Sequence, residues 1–205
     1  MSDGLFITFE GGEGAGKTTQ IKRLAASLGH CVITREPGGT PEGEALREVF
    51  FSNNGQEWPP EALLMLMFSI RILHTEKKIK FALSDGQHVL CDRYTDSTRA
   101  YQGYAGGLSI EKIEAIKELA IGAFEPDITF IMDINPEEGL ARAGKRPAEG
   151  NTFENKDLSF HKKIREGFLT IAAQNPERCV IIDASRNEDE IAEEILAHVL
   201  NRINV

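Results

Sequence analysis

Apolar residues along the chain fall into two alternating textures. Short runs of β-branched and large apolar side chains occur at Leu5–Phe9, Cys31–Thr34, His88–Cys91, Asp127–Met132 and Cys179–Ile182. Each reads as a strand with the composition of strands covered on both faces. Between them apolar residues recur with helical spacing. Thr19 to Leu28 forms one such segment, and Ile110 to Phe124 places Ile113, Ile116, Ala120 and Phe124 on one face. The last helix carries Ile191, Ile195, Leu196, Val199, Leu200 and Ile203 at the same period. Ala62 to Leu73 is apolar nearly all round, which predicts a helix that is buried or that faces a second subunit. Strands alternating with helices predict an α/β fold of three layers, a five-stranded parallel sheet with helices on both faces. Ligands in such folds bind at the carboxyl ends of the strands.

Length and charge narrow the classes. A chain of 205 residues suits one domain, 1–205, with a full core. Acidic residues (32) outnumber basic ones (23), and the net charge of -9 argues against a nucleic-acid partner, which needs clustered cations. The greasiest segment, Ala62 to Leu73, is too short for a membrane span and contains Arg71. Met1 to Gly4 has no basic region ahead of an apolar core, so no secretory signal is expected and the cytoplasm is the expected location. Cys31, Cys91 and Cys179 are odd in number, far apart and set in apolar runs, the pattern of buried, reduced thiols.

Candidate chemistry follows the first strand. Gly11-Gly12-Glu13-Gly14-Ala15-Gly16-Lys17-Thr18 fits the G-x-x-x-x-G-K-[ST] phosphate loop in its strand–loop–helix context, so the fold is expected to be of the P-loop NTPase type. Glycines let successive N–H groups converge on an anion, Lys17 adds a point charge at the β/γ-phosphates, and the Thr18 hydroxyl is placed to ligate Mg²⁺. A glycine-rich turn that only links strand to helix is the bland alternative, and the complete motif counts against it. After the second strand come Arg35-Glu36-Pro37-Gly38-Gly39-Thr40 and Arg47. After the third come Asp92-Arg93-Tyr94, then Ser97, Tyr101 and Gln102. Fixed guanidinium groups at the phosphate-loop edge suit a second phosphorylated molecule better than water as acceptor. Asp92 is placed as the second acidic anchor for Mg²⁺. A strand-capping salt bridge is the structural reading of Asp92-Arg93. Gly139 to Asp157 turns from helix into a polar stretch with Arg142, Lys145 and Arg146, read as a cationic lid over about 142–157 rather than a solvated connection.

Taken together these segments resemble the thymidylate kinases of bacterial type, in the nucleoside monophosphate kinase group of phosphate-loop proteins. The resemblance runs along nearly the whole chain: Phe9-Glu10-Gly11 through Thr18-Thr19-Gln20, Arg35 to Thr40, Asp92-Arg93-Tyr94, Ala100-Tyr101-Gln102-Gly103, Pro126-Asp127 and the lid. It implies ATP- and Mg²⁺-dependent phosphorylation of dTMP to dTDP, and a homodimer. ATP would be held by Gly11 to Thr19. Glu13 resembles the carboxylate that contacts the 3′-hydroxyl of dTMP, and Arg47 and Arg93 the clamp on its phosphate. Arg71 aligns with the arginine that reads a thymine carbonyl, Thr98 with a polar group at the thymine edge, and Tyr101 with the ring that crowds C2′. Pro37 and Gln102 belong to the same substrate set. In the family the catalytic arginine lies in the phosphate loop or in the lid; with Gly14 and Ala15 in this loop, the resemblance assigns the role to Arg142 or Arg146, beside Lys17, Arg93 and Glu13. One departure is Met67, flanked by Phe68, where the family has a phenylalanine stacked on thymine.

Other readings are a kinase for another nucleotide or a deoxynucleoside, a GTP-dependent switch, and an inactive nucleotide binder. A switch needs an Asn-Lys-x-Asp segment, and Asn155-Lys156-Asp157 is one residue short. Intact Lys17, Thr18, Asp92 and Arg93 weigh against an inactive binder. Glu10, His74, Glu154, Phe160 and His161 are equally well explained by packing or a solvated helix face.

Overall fold

The computed structural model describes residues 4–51, 58–144 and 156–203. Five parallel strands, β1 (Phe6–Glu10), β2 (Cys31–Arg35), β3 (His88–Asp92), β4 (Ile128–Asp133) and β5 (Cys179–Asp183), lie in the order β2-β3-β1-β4-β5. The connections out of β1 and its neighbours lead to opposite sides of the sheet, so the crevice of this fold opens at the carboxyl end of β1. Every strand ends one residue later than its apolar run, and each added residue is charged: Glu10, Arg35, Asp92, Asp133 and Asp183. That edge therefore carries charge where the strand bodies are apolar.

The helices are α1 (Lys17–Leu28), α2 (Pro41–Phe51), α3 (Pro60–His74), α4 (Lys80–Ser84), α5 (Thr95–Thr98), α6 (Ile110–Ile121), α7 (Pro136–Ala143), α8 (Leu158–Gln174) and α9 (Glu188–Ile203). Wider π turns, Thr75–Ile79 and Arg99–Ala105, continue α3 and α5. Strand pleating sends alternate side chains to opposite faces. Ile7, Phe9, Phe130 and Met132 pack with Ile21 and Leu24 of α1 and with Ile191, Ile195 and Val199 of α9. On the other face Phe6, Val89 and Cys91 meet Ile79, Ala82 and Ile121, while Ile131 joins Ile164, Phe168 and Ile171 of α8.

Four expectations are corrected. The outer strands are only half covered: Ile33 of β2 and Ile181 of β5 are each 49% exposed, because a strand at the sheet edge lacks one neighbour. Cys31 on β2 is accordingly only partly buried, although all three thiols are free. Helix α3 is not buried all round, since Met65 and Ile72, seven residues apart on one side, stand in the open. In the last helix Leu200 and Ile203 are exposed, because its final turn runs past the core. Helix α6 stops at Ile121, where Gly122 takes a left-handed conformation (φ 59°), and Phe124 beyond it stacks on Phe6 with ring centroids 5.5 Å apart.

Candidate functional site

The phosphate loop is clamped from behind by backbone. Gly11 and Gly14 adopt φ of 133° and 68°, and a Cβ on them would lie 2.5 Å from the Met132 carbonyl oxygen and 2.0 Å from that of Gly139. No side chain fits at either position. Gly16, also left-handed, caps α1 without any side-chain acceptor, so the first N–H groups of the helix face the loop's concavity, the arrangement that binds phosphate. Lys17 Nζ donates to the Gly11 and Gly12 carbonyls at 3.2 and 3.0 Å, which holds the ammonium over the loop. Burial lowers its pKa, aided by Arg93, while the carboxylates of Asp92, Glu13 and Glu10 oppose the shift. Ala15 is buried, Thr19 lies in the first turn of α1, and the Thr18 hydroxyl is exposed beside the third strand, donating to Asp92 Oδ2 at 3.0 Å.

Because Phe9 of β1 pairs with Asp92 of β3, the loop and the Asp92-Arg93-Tyr94 segment leave the sheet side by side. Arg93 is the one non-glycine residue with a positive φ (68°) among the described residues. Its Nη1 donates to the Gly11 carbonyl (3.1 Å) and Ser97 Oγ (3.2 Å), and its Nη2 to Glu13 Oε1 (2.8 Å). The guanidinium also stacks 5.0 Å from the Tyr101 ring centroid, and the Tyr101 hydroxyl donates to Glu13 at 3.1 Å. Burial by itself would raise the Glu13 pKa, but the charges of Arg93 and Lys17 and the Tyr101 hydrogen bond outweigh it, so the carboxylate stays ionised. Burial would lower the Arg93 pKa, but Tyr101 and the carboxylates of Glu13, Asp92 and Glu10 raise it. Glu13, Arg93 and Tyr101 thus meet as one cluster at the loop's edge.

A second buried cluster lies beneath the Arg35–Thr40 segment. Arg71, fully buried in α3, donates from Nε to Glu36 Oε2 (2.8 Å) and from Nη2 to the Tyr94 carbonyl (3.2 Å) and Thr98 Oγ1 (3.0 Å). Its plane lies over the rings of Phe68 and Tyr94. Arg71 Nη1 is buried with no hydrogen-bond partner among the described residues. Glu36 Oε1 lies 3.1 Å from His74 Nδ1, whose Nε2 is 2.7 Å from Thr34 Oγ1. Arg47 Nη1 donates to the carbonyl of Pro37, which follows a cis peptide bond, and its guanidinium stacks on Phe51. Gln102 is buried in the π turn beside Tyr101. Phe68 belongs to a core cluster with Leu64 and Ile113, whereas Met67, 8% exposed, lies outside it.

Arg142 is fixed at the far end of α7, donating to the Ala184 carbonyl at 3.0 Å and pairing with Glu138. Lys145 and Arg146, with most of the expected lid, lie outside the described residues. Two participants escaped the sequence reading. Glu36 was seen only as part of a motif, and Glu10 was set aside as packing. Each is a carboxylate at or just past a strand end, and that position is the signal that could have marked them.

The thymidylate kinase family model matches residues 9–195. A thymidylate kinase of Caulobacter vibrioides is 46% identical, with all of both chains covered, and one of Bradyrhizobium diazoefficiens is 45% identical over 98% of this chain and 90% of its own. The crystal structure of the Ehrlichia chaffeensis thymidylate kinase superposes with a TM-score of 0.77 at 34% identity, covering 96% of this chain and 99% of that one. With the phosphate loop, the Asp92-Arg93 segment and the buried Arg71 all in place, this chain belongs to the thymidylate kinase family.

Proposed function

We propose that the chain transfers the γ-phosphoryl group of ATP to the phosphate of dTMP, giving ADP and dTDP. The observation that carries this reading is Arg93, held by Gly11, Ser97 and Glu13 at the edge of the phosphate loop, where it can bind an acceptor phosphate in line with the donor. A dTMP phosphate oxygen attacks the γ-phosphorus and the bond to the β,γ-bridging oxygen breaks. The attacking oxygen is already anionic, so the reaction needs alignment and charge compensation rather than a strong base.

Residue roles follow from position. Gly11 to Thr19 cradle the ATP phosphates with Lys17, and Arg93 and Arg47 bind the acceptor phosphate. Glu13 faces the sugar with Tyr101, whose ring crowds C2′. The free Arg71 Nη1 suits a thymine carbonyl, with Thr98 and Gln102 beside it and Met67 on the ring face. Phe68, engaged with Leu64 and Ile113, supports Arg71 from below. Thr18 and Asp92, two oxygens 3.0 Å apart at the helix start, would hold Mg²⁺, which would supply charge compensation for the phosphates. Arg142 or Arg146 supplies the lid cation.

We read residues 1–205 as one domain with its lid at about 142–157, and the active form as a homodimer, a reading supported by the exposed Met65 and Ile72 on α3. The free cysteines are in keeping with the reducing cytoplasm. Among the described residues no helix is long and apolar enough to cross a membrane. A coupled ADP-release assay with ATP and Mg²⁺ tests the activity, comparing dTMP with dUMP, AMP, CMP, GMP and thymidine. Rapid turnover with dTMP, with dUMP a poor second, is the expected result; no preference for dTMP would overturn the base assignment.

A further inference from the structure

Glu10 closes the central strand, and its side chain is fully buried. One carboxylate oxygen accepts the Tyr94 N–H at 2.7 Å and the Ser97 N–H at 3.2 Å; the other accepts the Ser97 hydroxyl at 2.5 Å. Its neighbours on either side grip the same segment. The Phe9 carbonyl accepts the Arg93 N–H at 3.0 Å, and the Gly11 carbonyl accepts Arg93 Nη1 at 3.1 Å. Three consecutive residues, the last two of β1 and the first of the loop, therefore hold Arg93 by its backbone, by the residue after it and by its guanidinium. Gly11 also receives Lys17 Nζ, so the same strand end holds the donor loop.

Arg93 needs this grip. Its φ of 68° is disfavoured by the β-carbon of any L-residue other than glycine, and such a conformation persists only where the surroundings over-determine it. Without the Glu10 acceptors, the Tyr94 and Ser97 N–H groups would be left unpaired where water does not reach them, and the turn would relax toward backbone angles that satisfy them. The Arg93 side chain would then leave the Gly11 and Glu13 contacts that aim it. An apolar residue would pack at the end of β1 with less desolvation than a carboxylate, so the acceptor geometry is what this side chain supplies.

We propose that Glu10 is a positioning residue that sets the acceptor-phosphate arginine, Arg93, against the donor loop, and so governs acceptor binding and alignment rather than ATP binding. This rests on the reading of the chain as a dTMP kinase.

The test is steady-state kinetics of the full chain with ATP, Mg²⁺ and dTMP, for wild type, Glu10→Gln, Glu10→Ala and Ser97→Ala, each with its thermal midpoint. Glu10→Gln keeps the volume and one carbonyl acceptor. Glu10→Ala removes every acceptor, and Ser97→Ala removes one hydroxyl while leaving the carboxylate in place. The expected result is a KM for dTMP raised about tenfold in Glu10→Ala and less in Glu10→Gln, with the KM for ATP within about twofold of wild type. Thr8→Val, which removes the buried Thr8–Thr129 hydroxyl pair from the same strand, is the packing control and should lower the midpoint without separating the two KM values. Equal rises in both KM values, or an unchanged KM for dTMP in folded variants, would overturn the proposal. If Glu10→Ala does not fold, Glu10→Gln decides by the same criterion, because Ser97→Ala also removes an acceptor of Arg93 Nη1. Wild type that ignores dTMP but uses another monophosphate fails the base assignment alone, and the comparison is made with that acceptor. Wild type inactive with every acceptor fails both.

Discussion

Thr18 Oγ1 and Asp92 Oδ2 lie 3.0 Å apart although 74 residues separate them in the chain. The contact exists because Thr18 is in the first turn of α1 and Asp92 closes β3, which pairs with β1 in parallel register. Two hard oxygens, one anionic, are thereby presented at a helix N-terminus beside the phosphate-binding amides. The sheet does the positioning, so neither side chain needs a flexible loop to find the other.

Asp92→Asn keeps the shape and an oxygen that can accept the Thr18 hydroxyl but removes the charge. Turnover should fall by about a hundredfold or more, with a higher Mg²⁺ requirement and little change in thermal midpoint. A Mg²⁺ titration of the rate checks it; an unchanged Mg²⁺ requirement would remove Asp92 from the metal site.

All five strands were legible as apolar runs, and with them the parallel sheet. What the runs concealed was their last residue, because a charged side chain after an apolar run reads as loop. Glu10, set aside as packing, is such a residue, whereas Asp92 was read as a candidate metal anchor from its place after the third strand. The phosphate loop was legible because Gly11 sits where a Cβ would strike backbone and Gly16 takes a positive φ of 82°. Long-range pairs were not. Arg178 Nη1 reaches Asp96 Oδ2 at 2.6 Å across 82 residues, and Arg71 meets Glu36 across 35, and no spacing announces either. The exposed side of α3 was left open between core and a second subunit for a similar reason, since periodicity reports that a side chain is apolar, not what covers it.

Arg71→Ala tests the second cluster through stability as well as activity. It would leave the Glu36 carboxylate buried without its guanidinium, a loss of about 3 kcal/mol in folding free energy. Pairing it with Glu36→Gln separates the effects: the double variant should recover part of that stability while dTMP use stays impaired. Urea unfolding and the KM for dTMP give the two readouts, and strictly additive stability losses would refute the coupling.

Among the lid cations, Arg142 already has partners in the Ala184 carbonyl and Glu138. Arg146→Ala is therefore expected to lower kcat by about a hundredfold with little change in dTMP binding, and Arg142→Ala to lower it less. Single-turnover rates alongside equilibrium dTMP binding make the distinction. An unchanged turnover number would remove Arg146 from the chemistry.

Glu10 should also leave a mark on the pH dependence of stability. Burial, reinforced by the Asp96 carboxylate, raises its pKa from 4.5 to about 7, against the pull of Ser97, Arg93 and the Tyr94 N–H. Below about pH 4.5 the carboxyl is protonated whether the chain is folded or not. Between that point and about pH 7 the folded chain keeps a proton that the unfolded chain releases, so stability falls as pH rises through this window and levels off above it. Glu10→Gln, which mimics the neutral acid, has no such proton to lose. Measured by urea unfolding, the stability of wild type relative to Glu10→Gln should drop by about 2 kcal/mol between pH 5 and pH 8. Titrating groups that do not interact with Glu10 contribute equally to both proteins and cancel, while Asp96, which does, is part of the difference that is read. Parallel curves across that range would mean that Glu10 ionises in the folded chain as readily as in the unfolded one, and that its hydrogen bonds from Tyr94 and Ser97 fully offset its burial.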